Sequence, residues 1–559
     1  MVYLLLALIF TLGLGLRIAG LTWSLPDARH PIATYHPDEL VNLAAAEQAD
    51  LAHGKIDIGF YNYGAFYFYL VSLSDTIGHG YGLIPNTANI DPKSVSEAEA
   101  LRLQGRERAG EFLAGRLVTA LMGAATIPVV FLLGVRLYSR RTGLLAALLY
   151  ALAPLPALHA HFLTVDVPAT LFVSLTLLSA ANLRVIGSFR EVALAGIGCG
   201  LATATKYTAV VCVVAPLCAL ALGAAQTSGP ERNAALRTGA LKAATLIGVM
   251  AAAFLVACPG PWLNWGAFWN GTYPGSGVRY ELFEHARTGH GYLFTDTGPG
   301  WWYHLSVSLR YGLGLPLLLL SAVGCAYAVR RRTPSDIILL AFLVVAYSAT
   351  SLSAVRFARY LIPLTPALCV LAARVAVEPY ARRIASRIAL ASAALTVAAC
   401  ALTTGGLVRA LTLKDPRDIA ADYLAGHAGS HVVIAFAHTP WFYSPPLSPL
   451  WGSVRSESRK NASPAQPNIE FRMPDGDWDP RVLSPPPDFL VLSNIELLPE
   501  WKRLRLPAAV AFMSLIPPGG WQTVFKPSAV FGLSPDDPDV PQDILYVLPE
   551  ITVYEWKGR

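Results

Sequence analysis

Of the 559 residues, 54% are hydrophobic and only 14% charged, a balance too apolar for a soluble globular protein. The seven cysteines all lie in or beside apolar segments, so a disulfide framework or a CxxC metal site is unsupported and they read as small buried hydrophobes. The net charge of +6 sits in short loops between apolar runs, a placement that argues against nucleic acid as a partner.

The first apolar segment, 2–20, is interrupted only by Arg17. About 20 such residues suffice to cross a bilayer, and the segment is too long for a cleaved signal peptide, so it reads as a retained helix. The loop that follows, 21–110, carries His36-Pro37-Asp38-Glu39 near its start. It also carries the aromatic run Phe60 to Tyr69, which reads as an interfacial belt or a half-buried amphipathic segment. Ten further apolar segments follow at 111–135, 143–158, 167–183, 192–204, 208–224, 242–258, 302–328, 336–352, 360–377 and 388–408. Beyond about residue 410 the chain becomes rich in Pro and Trp with ordinary charge density. The reading is a polytopic α-helical membrane domain, 1–410, followed by an extracytoplasmic soluble domain, 411–559, of α/β type.

With the N-terminus in the cytoplasm, eleven crossings place Arg136, Arg140 and Arg141; Arg184 and Arg190; Arg232, Arg237 and Lys242; Arg330, Arg331 and Arg332; and Arg374, Arg382, Arg383 and Arg387 on one side. Five basic loops on the same face make the positive-inside pattern, and the C-terminal domain falls outside the cytoplasm. The pattern requires 192–224 to be two short helices turning at Ala204-Thr205-Lys206-Tyr207, because one tilted helix would break it. The outer face then gathers Asp38 and Glu39, His159, His161 and Asp166, Lys206, and Arg356 and Arg359 from segments far apart in the chain.

Each of these residues has a plain explanation beside a functional one. Pro37 followed by two acids is an ordinary helix start, where carboxylates suit the dipole. It is also a place for a general base. His159 and His161 suggest a metal, but an i, i+2 pair does not share a helix face and interfacial histidines are common, so no cofactor is called for and a divalent metal is the minor reading. Lys206 in an apolar hairpin is costly unless it pairs or faces a wet cavity. Arg116 invites the same argument, with snorkelling to the interface as its competitor. Arg356 and Arg359 are the unusual arginines of the outer face, suited either to interfacial anchoring or to phosphate oxygens. No Walker A motif and no dinucleotide fingerprint is present, so a soluble nucleotide donor has no evident pocket.

Five stretches in order resemble the GT-C superfamily of membrane glycosyltransferases, nearest its bacterial branch related to protein O-mannosyltransferases and the aminoarabinose transferase of lipid A (glycosyltransferase family 39-like). They are Tyr35 to Glu39, Gly115 to Leu121, His161 to Pro168, Ala204 to Thr208 and Arg359 to Pro366, spread over the first 370 or so residues. The resemblance implies an inverting transferase that uses a polyprenyl-phosphate-linked sugar. It implies Asp38 as base at the acceptor, with Glu39 beside it and Asp166 in support. Arg116, Lys206 and Arg359 would hold the donor phosphate, and Arg356 is added by proximity. His36, His161, Tyr207 and Tyr360 are candidate substrate contacts. The expected partners are the lipid-linked donor, membrane lipid and an acceptor that is a glycan, lipid or protein. The expected location is a bacterial inner membrane, with the site and C-terminal domain facing the periplasm or exterior. A transporter or flippase of lipid-linked sugars is the alternative, although a flippase has no chemical use for the acid pair. A noncatalytic assembly subunit is the third reading. Within 411–559, His431 to Phe436, Phe489 to Ser493 and Ile551 to Tyr554 read as strands, and 439–487 reads as a long loop.

Overall fold

All eleven apolar segments are helical in the computed structural model, which describes residues 1–87, 95–378, 383–429, 431–516 and 521–556. In chain order the helices used below are α1 Val2–Ile18, α2 Glu39–Glu47, α3 Phe66–Gly80, α4 Glu97–Leu137, α5 Arg140–Leu152, α6 Pro154–His159, α7 Asp166–Ile186 and α8 Phe189–Thr205. They continue with α9 Val214–Ala225, α10 Arg232–Ala257, α11 Leu315–Arg331, α12 Pro334–Ser351, α13 Thr365–Val377, α14 Arg383–Thr412 and α15 Pro416–Gly426. Among the described residues seven helical stretches are long and apolar enough to cross a membrane, or eight if the bent pair Gly300–Leu313 and Leu315–Arg331 is one span. The chain is a multi-pass helical membrane protein. The other three apolar segments are the shorter α1, α5 and α8, at 17, 13 and 17 residues.

Glycines let these helices approach closely, as membrane helices commonly do. A Cβ on Gly200 of α8 would lie 2.6 Å from the Met250 carbonyl oxygen of α10, and one on Gly13 of α1 would lie 2.2 Å from Ile127 of α4. Arg17, fully buried in α1, donates to the carbonyls of Gly13, Ala151 and Tyr150 and so ties α1 to the end of α5. The bundle core is built mainly from Leu, Ala and Val of α4, α5, α7, α11, α12 and α13. At the arginine-rich ends of these helices, Arg374 of α13 pairs with Asp336, which caps α12, and with Glu378 at 3.2 Å. Arg382 of that arginine set lies outside the described residues.

All seven cysteines are free, five of them buried. The aromatic run does more than line an interface. Phe60, Tyr61, Tyr67 and Phe68 are buried against Phe112 of α4 and Phe268, because the loop folds back over the bundle end.

Past α14 the chain forms a five-stranded sheet in the order β2-β1-β3-β5-β4. The strands are β1 Val432–Phe436, β2 Ile469–Arg472, β3 Phe489–Ser493, β4 Trp521–Phe525 and β5 Ile551–Glu555. β2, β1 and β3 are parallel, β5 runs antiparallel to β3, and β4 antiparallel to β5. β1 and β3 are buried along their whole length, the pattern of central strands covered on both faces. The expected long loop 439–487 is structured: it contains β2, the helix Ser456–Lys460 and a Trp451 only 4% exposed. Trp451 packs on Phe436 and Phe471, and that apolar anchor explains why a Pro- and Ser-rich stretch is ordered.

The sheet-bearing unit sits on one end of the bundle. Trp23 Nε1 donates to Asp415 at 3.1 Å, the Tyr35 hydroxyl to Asp418 at 2.5 Å, and the Tyr311 hydroxyl to Asp537 at 2.6 Å. Arg417 is wholly buried at the seam, pairing with Asp415 and donating to the Phe442 and Tyr546 carbonyls.

Candidate active site

The site forms where the expected outer-face segments meet at that same end of the bundle. Asp38 is the residue before α2, and neither it nor Glu39 caps the helix through its side chain. The two carboxylates turn instead to different arginines.

Glu39 is completely buried and accepts from four donors: Arg116 Nε at 2.8 Å, Arg116 Nη2 at 2.6 Å, the Thr34 hydroxyl at 2.5 Å and the Leu163 amide at 2.7 Å. Arg116 spends its remaining terminal nitrogen on the Leu21 and Trp23 carbonyls, at 2.7 and 2.6 Å. Burial alone would raise the Glu39 carboxyl, but Arg116 and the hydrogen bonds hold it below the ordinary range. The resemblance assigned Arg116 to a donor phosphate. The structure uses its guanidinium to fasten the first loop and the α6–α7 connection to α4, with no face turned to a ligand.

Asp38 keeps a third of its side chain exposed and pairs with Arg359 Nη2 at 2.8 Å. Burial pushes its carboxyl up, but the neighbouring positive charge, Arg359 first, more than offsets this and holds it below the usual aspartate range. Arg359 lies in the tight turn Ala358–Leu364 that leads into α13. It is the hub of the site: its guanidinium also lies 3.9 Å from Asp166 and 3.8 Å from Asp543, and its backbone amide donates to Asp543 at 2.9 Å. Asp166 opens α7 and pairs with Lys206 at 2.5 Å. Lys206 breaks the chain between α8 and the 3-10 turn Tyr207–Val213, where φ −145° and ψ 118° interrupt the helix. Its ammonium lies 4.1 Å from the centre of the Tyr360 ring. The hairpin demanded by the charge pattern is therefore the feature that presents Lys206.

Asp38, Asp166, Lys206 and Arg359 thus come together from four distant segments, and Tyr360 joins them. Tyr207 fixes the same turn by donating to the Tyr63 carbonyl at 2.9 Å. His36 stacks on Phe162 and accepts from the Asp38 amide at 3.3 Å; burial drives it down to about 4, so it is neutral. His161 lies 3.0 Å from both the Ala157 and Ala19 carbonyls and makes no contact with the cluster. Arg356 stands apart: its guanidinium donates to Thr297 Oγ1 and the Gly298 carbonyl, both at 2.6 Å, and lies over Tyr303. His159 lies 3.8 Å from Asp543.

Two residues were not read from the sequence. Asp543 reaches the cluster from the short helix Gln542–Leu545 of the C-terminal unit, and it is fully buried. One acid in an acidic, Pro-rich stretch carries no signal of such a role. Gly64 presses against the Ala204 carbonyl so closely that a Cβ would lie 1.9 Å from the oxygen, beside Lys206. A cavity of about 400 Å³ adjoins the cluster through Lys206 and Tyr360; Glu281, His285 and Arg287 also line it, with Val210, Phe283, Phe342, Ala346 and Leu364 among its apolar walls.

A multi-pass helical bundle whose one end buries paired acids and bases beside an apolar cavity defines the class of this protein: a membrane protein with an ionic pocket at the bundle mouth. Residues 109–258 match the family model described as dolichyl-phosphate-mannose-protein mannosyltransferase, which supports the GT-C resemblance drawn from the motifs. No curated protein matches. Among solved structures, ArnT from Cupriavidus metallidurans bound to undecaprenyl phosphate is similar over 98% of this chain and 97% of its own, at 13% identity and a TM-score of 0.46. The oligosaccharyltransferase AglB from Archaeoglobus fulgidus, in complex with an inhibitory peptide and a dolichol-phosphate, is similar over 91% of this chain and 71% of its own, at 12% identity and a TM-score of 0.46. The Pmt1-Pmt2 complex of S. cerevisiae, bound to its sugar donor, is similar over 46% of this chain and 33% of that chain, at 17% identity and a TM-score of 0.33.

Proposed function

We propose that this protein is an inverting glycosyltransferase that moves a sugar from a polyprenyl-phosphate carrier to an acceptor at the outer face of the membrane. The observation that carries the reading is the juxtaposition of a partly exposed carboxylate, Asp38, with two buried cations, Arg359 and Lys206, the latter lining a largely apolar cavity. The family named by the match at 109–258 uses a donor of that kind, a mannose on dolichyl phosphate.

The chemistry follows from the charges. The acceptor oxygen attacks the anomeric carbon as the bond from that carbon to the phosphate oxygen breaks. Asp38 takes the acceptor proton, and the carrier phosphate leaves with the bonding pair. Phosphate is a weak base and needs no general acid. It needs positive charge in a place from which water is excluded, which Lys206 and Arg359 supply. Asp166 holds both cations on the donor side, and Tyr360 lies under Lys206. The prenyl chain has the apolar cavity walls to follow. Arg356 sits further out, engaged with residues 297–298, and is assigned no phosphate contact.

The test is transfer by the full chain purified in detergent, supplied with polyprenyl-phosphate sugars extracted from its host and with host envelope fractions. Release of free polyprenyl phosphate that depends on Asp38 supports the reading. Movement of the intact lipid-linked sugar across vesicles, with no release of carrier, would replace it with the flippase. Mass spectrometry of lipid-linked sugars accumulating in a deletion strain identifies the sugar.

A further inference from the structure

Near the C-terminal end of α2, α3 and α4 bring three metal-ligating side chains together. Asp75 and His79 are four residues apart on α3 and therefore share a face. Glu111 meets them from α4. One donor atom from each lies within 4.8 Å of the other two. His79 Nε2 is 3.6 Å from Asp75 Oδ1 and 3.8 Å from Glu111 Oε1, too far for hydrogen bonds. Donors placed ~2.0–2.2 Å from a tetrahedral ion stand about 3.4 Å from one another, so a small contraction of this triangle suffices.

Hydrogen bonding leaves the cluster incomplete. Asp75 Oδ1 and His79 Nδ1 are sealed from solvent with no hydrogen-bond partner, which is costly for a carboxylate oxygen. Glu111 is only 9% exposed, and its Oε2 accepts from Arg108 at 3.0 Å, leaving Oε1 directed at His79. Glu47 shares Arg108 with Glu111. Three carboxylates, those of Asp75, Glu111 and Glu47, thus share one guanidinium and one imidazole. A bound dication balances that excess better than the histidine alone.

We propose that Asp75, His79 and Glu111 bind one divalent transition-metal ion, with zinc as the best fit, which clamps α3 to α4. The imidazole nitrogen sets the class, because Mg²⁺ and Ca²⁺ favour all-oxygen shells. Three protein ligands leave a fourth position for water. The clamp braces the loop that carries the proposed base. Glu47 is the last residue of α2, Arg108 ties it to Glu111, and Asp38 stands at the opposite end of the same helix.

The test uses the full chain in detergent, stripped with a chelator, dialysed and titrated with zinc alone. Equilibrium dialysis should give one tight site per chain, and zinc should raise the melting temperature. His79→Ala should weaken that site at least 100-fold and remove the thermal shift, and Asp75→Asn and Glu111→Gln should each weaken it 10- to 100-fold. Asp38→Asn should bind zinc as the wild type does. Because no readout is transfer, failure of the transferase reading leaves this experiment intact. Absence of a tight site in the wild type would overturn the proposal, as would unchanged binding in both His79→Ala and Asp75→Asn; the latter result would mean that zinc sits elsewhere and that the triad is only an ion pair. Should His79→Ala fail to fold, the two carboxylate variants decide alone.

Discussion

Two arginines, Arg116 and Arg359, each meet one of two adjacent acids, Glu39 and Asp38, and the two nodes are built in opposite ways. The Glu39–Arg116 node is closed. Both side chains are wholly buried, and the carboxylate accepts from four donors. The Asp38–Arg359 node is open. Its carboxylate is a third exposed, and one guanidinium is shared among three acids, with Arg359 Nη1 buried and short of a hydrogen-bond partner. A closed node stabilises a fold, because removing either partner strands a buried charge. An open node has bonding capacity left for a phosphate or an acceptor hydroxyl. Whether a buried charge pair serves structure or chemistry is thus decided by which of its donors and acceptors remain unspent.

The largest expected effect tests the open node. Asp38→Asn keeps the shape but cannot take a proton, and should slow transfer by about 10²–10⁴-fold while leaving the melting temperature near that of the wild type. The pH profile gives a second reading. Asp38 is held below the ordinary aspartate range, so its charged form persists to lower pH than that of a free aspartate, and activity should show no loss from this group across the range where ordinary carboxylates titrate. Wild-type transfer by the purified Asp38→Asn protein would remove it as the base.

The closed node should fail in the other currency. Arg116→Ala strands the Glu39 carboxylate and should cost about 3–5 kcal/mol of stability, read as a large loss of folded protein by thermal melting or by size-exclusion yield. A well-folded Arg116→Ala protein whose only defect is weak donor binding would return Arg116 to the phosphate role that the resemblance implied.

Lys206→Ala tests the donor side of the open node. Removing one of two cations from a desolvated phosphate site typically costs on the order of 10²-fold in rate. The loss should appear chiefly in donor binding, measured with undecaprenyl phosphate as competitor. The same variant also frees Asp166, which keeps only the more distant Arg359 at 3.9 Å, so a modest drop in stability should accompany the kinetic loss.

Asp543→Asn is a smaller perturbation. It retains an oxygen for the Arg359 amide but removes one of the three charges that hold the guanidinium. Transfer should fall by roughly tenfold, about 1.4 kcal/mol, with the carrier still bound. A variant indistinguishable from the wild type would confine the C-terminal unit to a structural part at the pocket.

The site was half legible in the sequence, and the division follows these nodes. Lys206 was readable because a cation in an apolar hairpin is costly and Arg359 because outer-face arginines are unusual, while charge asymmetry put all four on one face and the resemblance singled out Asp38 and Asp166. The Lys206 hairpin was readable from the same charge asymmetry. The strands β1, β3 and β5 stood out as apolar β-branched runs, whereas β2, Ile469–Arg472, alternates weakly and sits among prolines. The split between Asp38 and Glu39 was not legible. Neighbours in sequence share a local context, and only the tertiary positions of Arg116, Thr34 and the Leu163 amide assign Glu39 to structure. Asp543 was not legible because its partner lies 184 positions away.

The smallest expected effect separates two arginines that the sequence made look like twins. Arg356 and Arg359 are three residues apart on the outer face, and both were assigned to the donor phosphate. The tight turn Ala358–Leu364 begins between them and sends them in different directions. Arg359 enters the buried cluster, and Arg356 points to the loop at Thr297 and Gly298, where its guanidinium is already bonded. It is also partly exposed, so its charge is screened and its bonds are worth little, about 1 kcal/mol or less. Arg356→Ala should therefore change transfer by no more than a few-fold and leave competition by undecaprenyl phosphate unaltered. Arg359→Ala, assayed beside it, should abolish both. Equal losses in the two variants would mean that the loop at 297–298 releases Arg356 to the phosphate when donor binds, and the open node would then extend from Asp38 to that loop.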